Sequence, residues 1–70
     1  MNLDLDCTGL LCPLPVIKLA KILPTVAVGD TLTVLADDPA AATDIPAWCR
    51  MRSQDLVSAS DHTYVIRRVS

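Results

Sequence analysis

Leu3, Leu5 and Cys7 alternate with Asn2, Asp4 and Asp6 at the head of the chain. A period of two marks a strand with one buried face, so Asn2 to Cys7 reads as the first strand. Thr8-Gly9 supplies a turn. From Pro13 to Leu23 the period lengthens. Val16, Leu19, Ala20 and Leu23 fall at i, i+3, i+4 and i+7, with Lys18 and Lys21 off the stripe, which predicts an amphipathic helix. Pro24 ends it. After the Val28-Gly29-Asp30 turn, Leu32, Val34 and Ala36 share one face of a second strand over Thr31 to Ala36. Asp37-Asp38-Pro39 reads as a helix cap followed by proline at the first helical position. The second helix should run to about Arg50, bent at Pro46, where a backbone donor is missing. Leu56 to Ser60 and Thr63 to Val69 predict two more strands, joined at Asp61-His62.

The resulting order is β-α-β-α-β-β. The first three elements bring their strands together as parallel neighbours, and the last two strands form a hairpin. The predicted fold class is α/β in the two-layer (α+β sandwich) sense: a mixed four-stranded sheet with both helices on one face. At 70 residues the chain is one domain, residues 1–70, near the lower size at which a single apolar core suffices. Phe is absent and Trp48 and Tyr64 are the only aromatics, so that core must be aliphatic.

Charge narrows the partners. Six Lys and Arg against eight Asp leave a net charge of −2 and no basic field for a phosphate backbone, which argues against direct nucleic-acid binding. The apolar run from Leu10 to Ile17 holds two prolines and falls far short of the ~20 residues that span a bilayer. An acidic amino-terminal stretch, where a signal peptide would be basic, points to the cytoplasm. Cysteines there are expected as thiols.

Gly9-Leu10-Leu11-Cys12-Pro13-Leu14-Pro15 is the most informative segment. It sets Cys12 between a turn and a helix, as the expected N-cap, with Pro13 and Pro15 stiffening the first turn. Cysteine is a poor cap beside Ser, Asp or Asn, so capping alone does not account for it. A helix dipole worth ~0.3–1 kcal/mol to an exposed anion would lower a thiol pKa of ~8.5 by roughly 0.2–0.7, giving roughly 5–14% thiolate at neutral pH. No His, Lys or Arg adjoins Cys12 in sequence. A moderately activated thiol without its own base suits sulfur exchange with a partner that completes the site.

The run Asp6-Cys7-Thr8-Gly9-Leu10-Leu11-Cys12-Pro13-Leu14-Pro15 resembles the Asp-x-x-Gly-x-x-Cys-Pro-x-Pro signature of the TusA-like (SirA/TusA) sulfur carrier family. Gly29-Asp30, Ala36-Asp37-Asp38-Pro39-Ala40 and Asp44-Ile45-Pro46-Ala47-Trp48-Cys49 extend the likeness along nearly the whole chain. The resemblance implies the two-layer fold derived above. It implies that Cys12 accepts sulfane sulfur as a persulfide from a cysteine desulfurase or a rhodanese and relays it to an acceptor protein. Asp6, Gly9, Pro13, Leu14 and Pro15 would support the site. The sulfur itself is the only cargo, with no separate cofactor and no metal, and the free protein is expected to be a monomer. Downstream products in the family include the 2-thio group of wobble uridines in tRNA, and other members serve molybdenum-cofactor synthesis, selenium metabolism or sulfur oxidation. Two positions depart from common members: Leu11 stands where a basic residue is frequent, and Cys7 where a non-thiol is usual.

Other candidates have plainer explanations. Cys7 is expected as a buried small residue closing the first strand, with a resolving thiol as the sharper alternative. Cys49 beside Trp48 reads as core. No Cys-x-x-Cys spacing supports a metal site. His62 reads as a solvated turn residue. Asp37-Asp38 caps a helix, with partner positioning second. Arg50, Arg52, Arg67 and Arg68 read as solvated ends. Against the carrier stand a redox-sensing or regulatory module of the same fold, and a selenium-handling relative.

Overall fold

The computed structural model describes residues 2–70. β1 (Asn2–Asp6), α1 (Leu14–Ile22), β2 (Thr31–Leu35), α2 (Ala41–Met51), β3 (Asp55–Ser60) and β4 (Thr63–Arg67) follow in the predicted order, with a short 3-10 turn, Leu23–Thr25, after α1. The four strands form one sheet in the order β1-β2-β4-β3. β1 and β2 are parallel, with Leu3 beside Leu32 and Leu5 beside Val34. β4 runs antiparallel to both β2 and β3. This is the mixed α+β sheet that the periodicity predicts.

Register decides which face is covered. Leu32 and Val34 on β2 lie opposite Ile66 and Tyr64 on β4, and all four are buried. They meet Leu19 and Leu23 from the first helical segment and Ala41, Ile45 and Cys49 from α2 in one apolar cluster. On the far face, Asn2 accepts hydrogen bonds from the hydroxyls of Thr31 (2.8 Å) and Thr33 (3.2 Å). Arg67 pairs there with Asp55 at 3.2 Å, in an exposed position where such a pair contributes little.

Local chemistry sets the element ends. α2 runs through Pro46 as one helix; the lost donor would have served Ala42, which is exposed and can meet water instead. It closes with Ser53 in the left-handed region (φ 57°), where the Gln54 amide donates to Cys49 at 2.9 Å and the Ser53 amide to Arg50 at 3.3 Å. That pattern satisfies two carbonyls the helix end leaves free. Asp61 and His62, at φ 49° and 61°, make the tight turn whose twist suits a hairpin. Arg68 is not a solvated end: its guanidinium donates to the carbonyls of Pro24 (3.0 Å) and Val26 (2.7 Å), tying the end of β4 to the segment after α1.

Candidate functional site

Parallel pairing puts the loops that follow β1 and β2 at the same end of the sheet, and there they are sewn together. Cys7 extends the pairing, its amide donating to Leu35 at 2.7 Å. The chain then turns, with the Thr8 amide donating to Asp6 Oδ1 at 2.9 Å. Gly9 occupies φ +82°, a conformation that favours glycine, and its amide donates to Asp37 Oδ1 at 2.9 Å. The Cys12 amide donates to Asp38 Oδ2 at 2.6 Å. The other oxygen of Asp38 accepts the Ala40 amide at 3.1 Å, so one carboxylate holds the cysteine loop and the approach to α2 together.

This geometry corrects the expected cap. Pro13, not Cys12, occupies the N-cap position of α1, and the helix begins at Leu14 with Pro15 in its first turn. The Leu14 amide, at the first helical position, donates to the Leu11 carbonyl at 2.9 Å. Cys12 therefore sits one residue before the cap, its peptide bond to Pro13 cis, beside the end of the helix and not upon it. Pro15 is buried against the core, whereas Pro13 and Leu14 are exposed. Leu11, at 72% exposure, forms the outer shoulder of the loop.

The electrostatics also reverse the sequence expectation. Partial burial, and then the carboxylates of Asp44 and Asp38, push the Cys12 thiol from its ordinary 9.0 up to about 11. Burial and full negative charges together outweigh the fractional charge of a helix end. Asp38 is itself held below the usual carboxylate range by the amides of Cys12 and Ala40. It is therefore an anion at neutral pH. Asp6 is held low likewise, by Thr8. Cys12 is a half-buried, protonated thiol at rest.

The other cysteines are elsewhere in the fold. Cys7 (0% exposed) and Cys49 (2%) lie in the core, both as free thiols, and burial raises the pKa of each. His62 lies in the exposed hairpin turn. Among the described residues no three His, Cys or Asp side chains are grouped to hold a metal ion, and no helix is long and apolar enough to cross a membrane. A depression of about 240 Å³ between the helices, lined by Pro13, Val16, Asp44, Ala47, Trp48 and Met51, adjoins the cysteine loop.

Asp38 and Asp44 are the residues that sequence reasoning missed as parts of the site. A usable signal existed for the first: when two strands are parallel neighbours, the residues that follow them lie at one sheet end. Asp44 carries a weaker signal, as a carboxylate in the first turn of the helix leaving that same end.

A two-layer α+β domain that presents one partly accessible cysteine at the carboxyl end of its parallel strands has the form of a thiol carrier. The family model described as Sulfurtransferase TusA matches residues 3–68 of the 70, and the chain belongs to that family. Membership supports a sulfur-carrier role, and with it exchange with sulfur-donating and sulfur-accepting proteins in general.

Proposed function

We propose that this chain carries sulfane sulfur as a persulfide on Cys12, takes it from a cysteine desulfurase or a rhodanese, and passes it to the cysteine of an acceptor protein. Thiolation of tRNA wobble uridine is one pathway such a relay would serve, in the cytoplasm. The supporting observation is that Cys12 is the only cysteine outside the buried core. In the loading step Cys12 Sγ, once deprotonated, attacks the terminal sulfur of a donor persulfide R–S–SH. A bond forms between Sγ and that sulfur while the donor's S–S bond breaks. The electron pair leaves on the donor's thiolate, which takes up the proton Cys12 gave. Cys12–SH and R–S–SH become Cys12–S–SH and R–SH, with no oxidant or reductant. Unloading is the same exchange with the roles reversed.

Asp6, Gly9, Pro13, Leu14 and Pro15 support this chemistry by shaping the loop and fixing the start of α1. Incubation with a cysteine desulfurase, its PLP and cysteine, followed by intact mass measurement, tests the assignment. A gain of about 32 Da, one sulfur, is expected. It should vanish in Cys12→Ser and persist in Cys49→Ala. A mass unchanged across several desulfurases and rhodaneses overturns the assignment and favours a regulatory module of the same fold.

A further inference from the structure

The carboxyl ends of both helices and of β4 meet at the end of the fold away from Cys12, around a cavity of about 260 Å³. Leu23, Pro24 and Trp48 supply its apolar lining, and Arg52, Gln54 and Arg68 its polar lining; among the described residues no aspartate lines it. Trp48 and Arg52 stand four residues apart on α2 and its C-cap, so they share a helix face. Gln54 Oε1 accepts the Val69 amide at 2.8 Å, which fixes the side-chain amide with Nε2 3.3 Å from the Ser70 main-chain oxygen. Arg68 Nε donates to the same oxygen at 3.1 Å, so two donors from separate segments converge on one oxygen position. Arg68 Nη1 is taken by the carbonyls of Pro24 and Val26, which leaves both Nη2 hydrogens unused. The Arg52 guanidinium has no hydrogen bond or ion pair among the described residues. We propose that this cavity binds a small organic oxyanion, a carboxylate or phosphate on a flat apolar body, with Arg52 and Arg68 on the anionic group and Trp48 against the body.

A positive charge drawn partly out of water gains from an anion beside it. Arg68 is half-buried, and its acceptors are main-chain oxygens, with no carboxylate side chain paired to it. A guanidinium with free hydrogens presents the planar fork that oxyanions accept. The carboxyl end of α2 carries about half a negative charge, which opposes an anion. Its last carbonyls already accept the Ser53 and Gln54 amides, and two full guanidinium charges exceed the remainder. The volume lies under the roughly 300–1,000 Å³ of drug-sized sites, so the ligand is of metabolite size. An inorganic ion would leave the apolar lining against water, which is why the ligand has a body as well as a charge. A cation serving only the helix end would sit equally well at Arg50, which is exposed and does not line the cavity. The cavity and Cys12 lie at opposite ends of α1, so the proposal stands apart from sulfur transfer.

Phenyl phosphate is the probe, titrated into the isotope-labelled full chain while the Trp48 indole and Gln54 side-chain amide signals are followed by NMR. Both should shift saturably, with half-saturation at about 1 mM. Trp48 also lines the depression beside the cysteine loop and Gln54 does not, so the Gln54 signal locates the binding. Arg52→Gln should weaken binding about tenfold, the loss expected of one charge-assisted hydrogen bond. Arg50→Gln removes the same charge from outside the cavity and should change the affinity less than about twofold. Arg68 is left in place because it ties β4 to the segment after α1. Benzyl alcohol, a similar ring without the charge, should give no saturable shift, and inorganic phosphate should bind at least about tenfold more weakly than phenyl phosphate. Equal weakening by the two substitutions assigns the attraction to the general charge of this end and overturns the site. Absence of saturable shifts at Gln54, with far-UV circular dichroism showing a folded chain, overturns it as well. Benzyl alcohol or inorganic phosphate binding as tightly as the probe overturns the ligand class.

Discussion

Ile45 is the side chain on which both the fold and the site depend, and its truncation gives a graded prediction. It is 0% exposed, lies between Asp44 and Pro46, and packs in the cluster with Leu32, Val34 and Ile66 from the sheet. Ile45→Val removes one methylene from that contact and should cost about 1 kcal/mol; Ile45→Ala adds a larger cavity and should cost about 2–5 kcal/mol. Stability of about 0.05–0.15 kcal/mol per residue sets the whole domain at only about 3.5–10 kcal/mol. The alanine variant therefore sits near the edge of folding, and the valine variant is the informative one. Its melting temperature should fall by about 4–8 °C, the change expected per kcal/mol for a domain of this size.

Urea denaturation followed by circular dichroism and by Trp48 fluorescence measures the effect, with the slope of free energy against urea checked for constancy. Thr43→Ala, on the exposed side of the same helix, serves as the control and should stay within about 0.5 kcal/mol of wild type. A cost below about 1 kcal/mol for Ile45→Ala, at unchanged slope, refutes the packing of α2 described here.

Three further outcomes follow from single features. Gly9→Ala meets no atom within 4 Å, so its cost should be that of a positive φ alone, about 1–2 kcal/mol in urea denaturation, and Gly9→Asn should cost less. Asp38→Ala should speed hydrogen exchange of the Cys12 amide at least about tenfold, because the 2.6 Å bond that protects it is removed; unchanged exchange would show the loop to be held otherwise. Raised pKa values for Cys7, Cys12 and Cys49 mean that the native state keeps protons the unfolded chain has released. Stability should therefore be full below about pH 8.5 and fall as pH rises towards 11, and Cys49→Ala should flatten that alkaline limb in pH-dependent melts.

The strands and helices were legible because their periods are clean. Leu32 and Val34 alternate with threonines on β2, and Leu19 and Leu23 recur at helical spacing; the structure buries these side chains together. The start of α1 was less so, because proline preferences do not say whether Cys12 or Pro13 takes the cap. That choice is settled by tertiary bonds, above all the one from the Cys12 amide to a carboxylate 26 residues away. The cysteine itself was conspicuous in sequence. Its electrostatic surroundings were not, since Asp38 and Asp44 reach it only once β1 and β2 pair and α2 folds back over the sheet. Arg68 illustrates the same limit: nothing in its neighbourhood along the chain announces the carbonyls of Pro24 and Val26 that it binds.

The two carboxylates beside Cys12 differ in a way that constrains how such a site can be tuned. Asp38 fixes the cysteine loop through the Cys12 and Ala40 amides, and its charge acts on the sulfur from the same position. Anchoring the loop and raising the thiol pKa are, at that residue, one interaction. A substitution that makes the sulfur more acidic by removing Asp38 must also release the backbone that aims it. Asp44 stands on α2 and makes none of the hydrogen bonds that hold the loop, which run from the Gly9 amide to Asp37 and from the Cys12 amide to Asp38. A partner that brings a cation to this end of the sheet would act in the opposite sense to these carboxylates, favouring the thiolate without dismantling the loop.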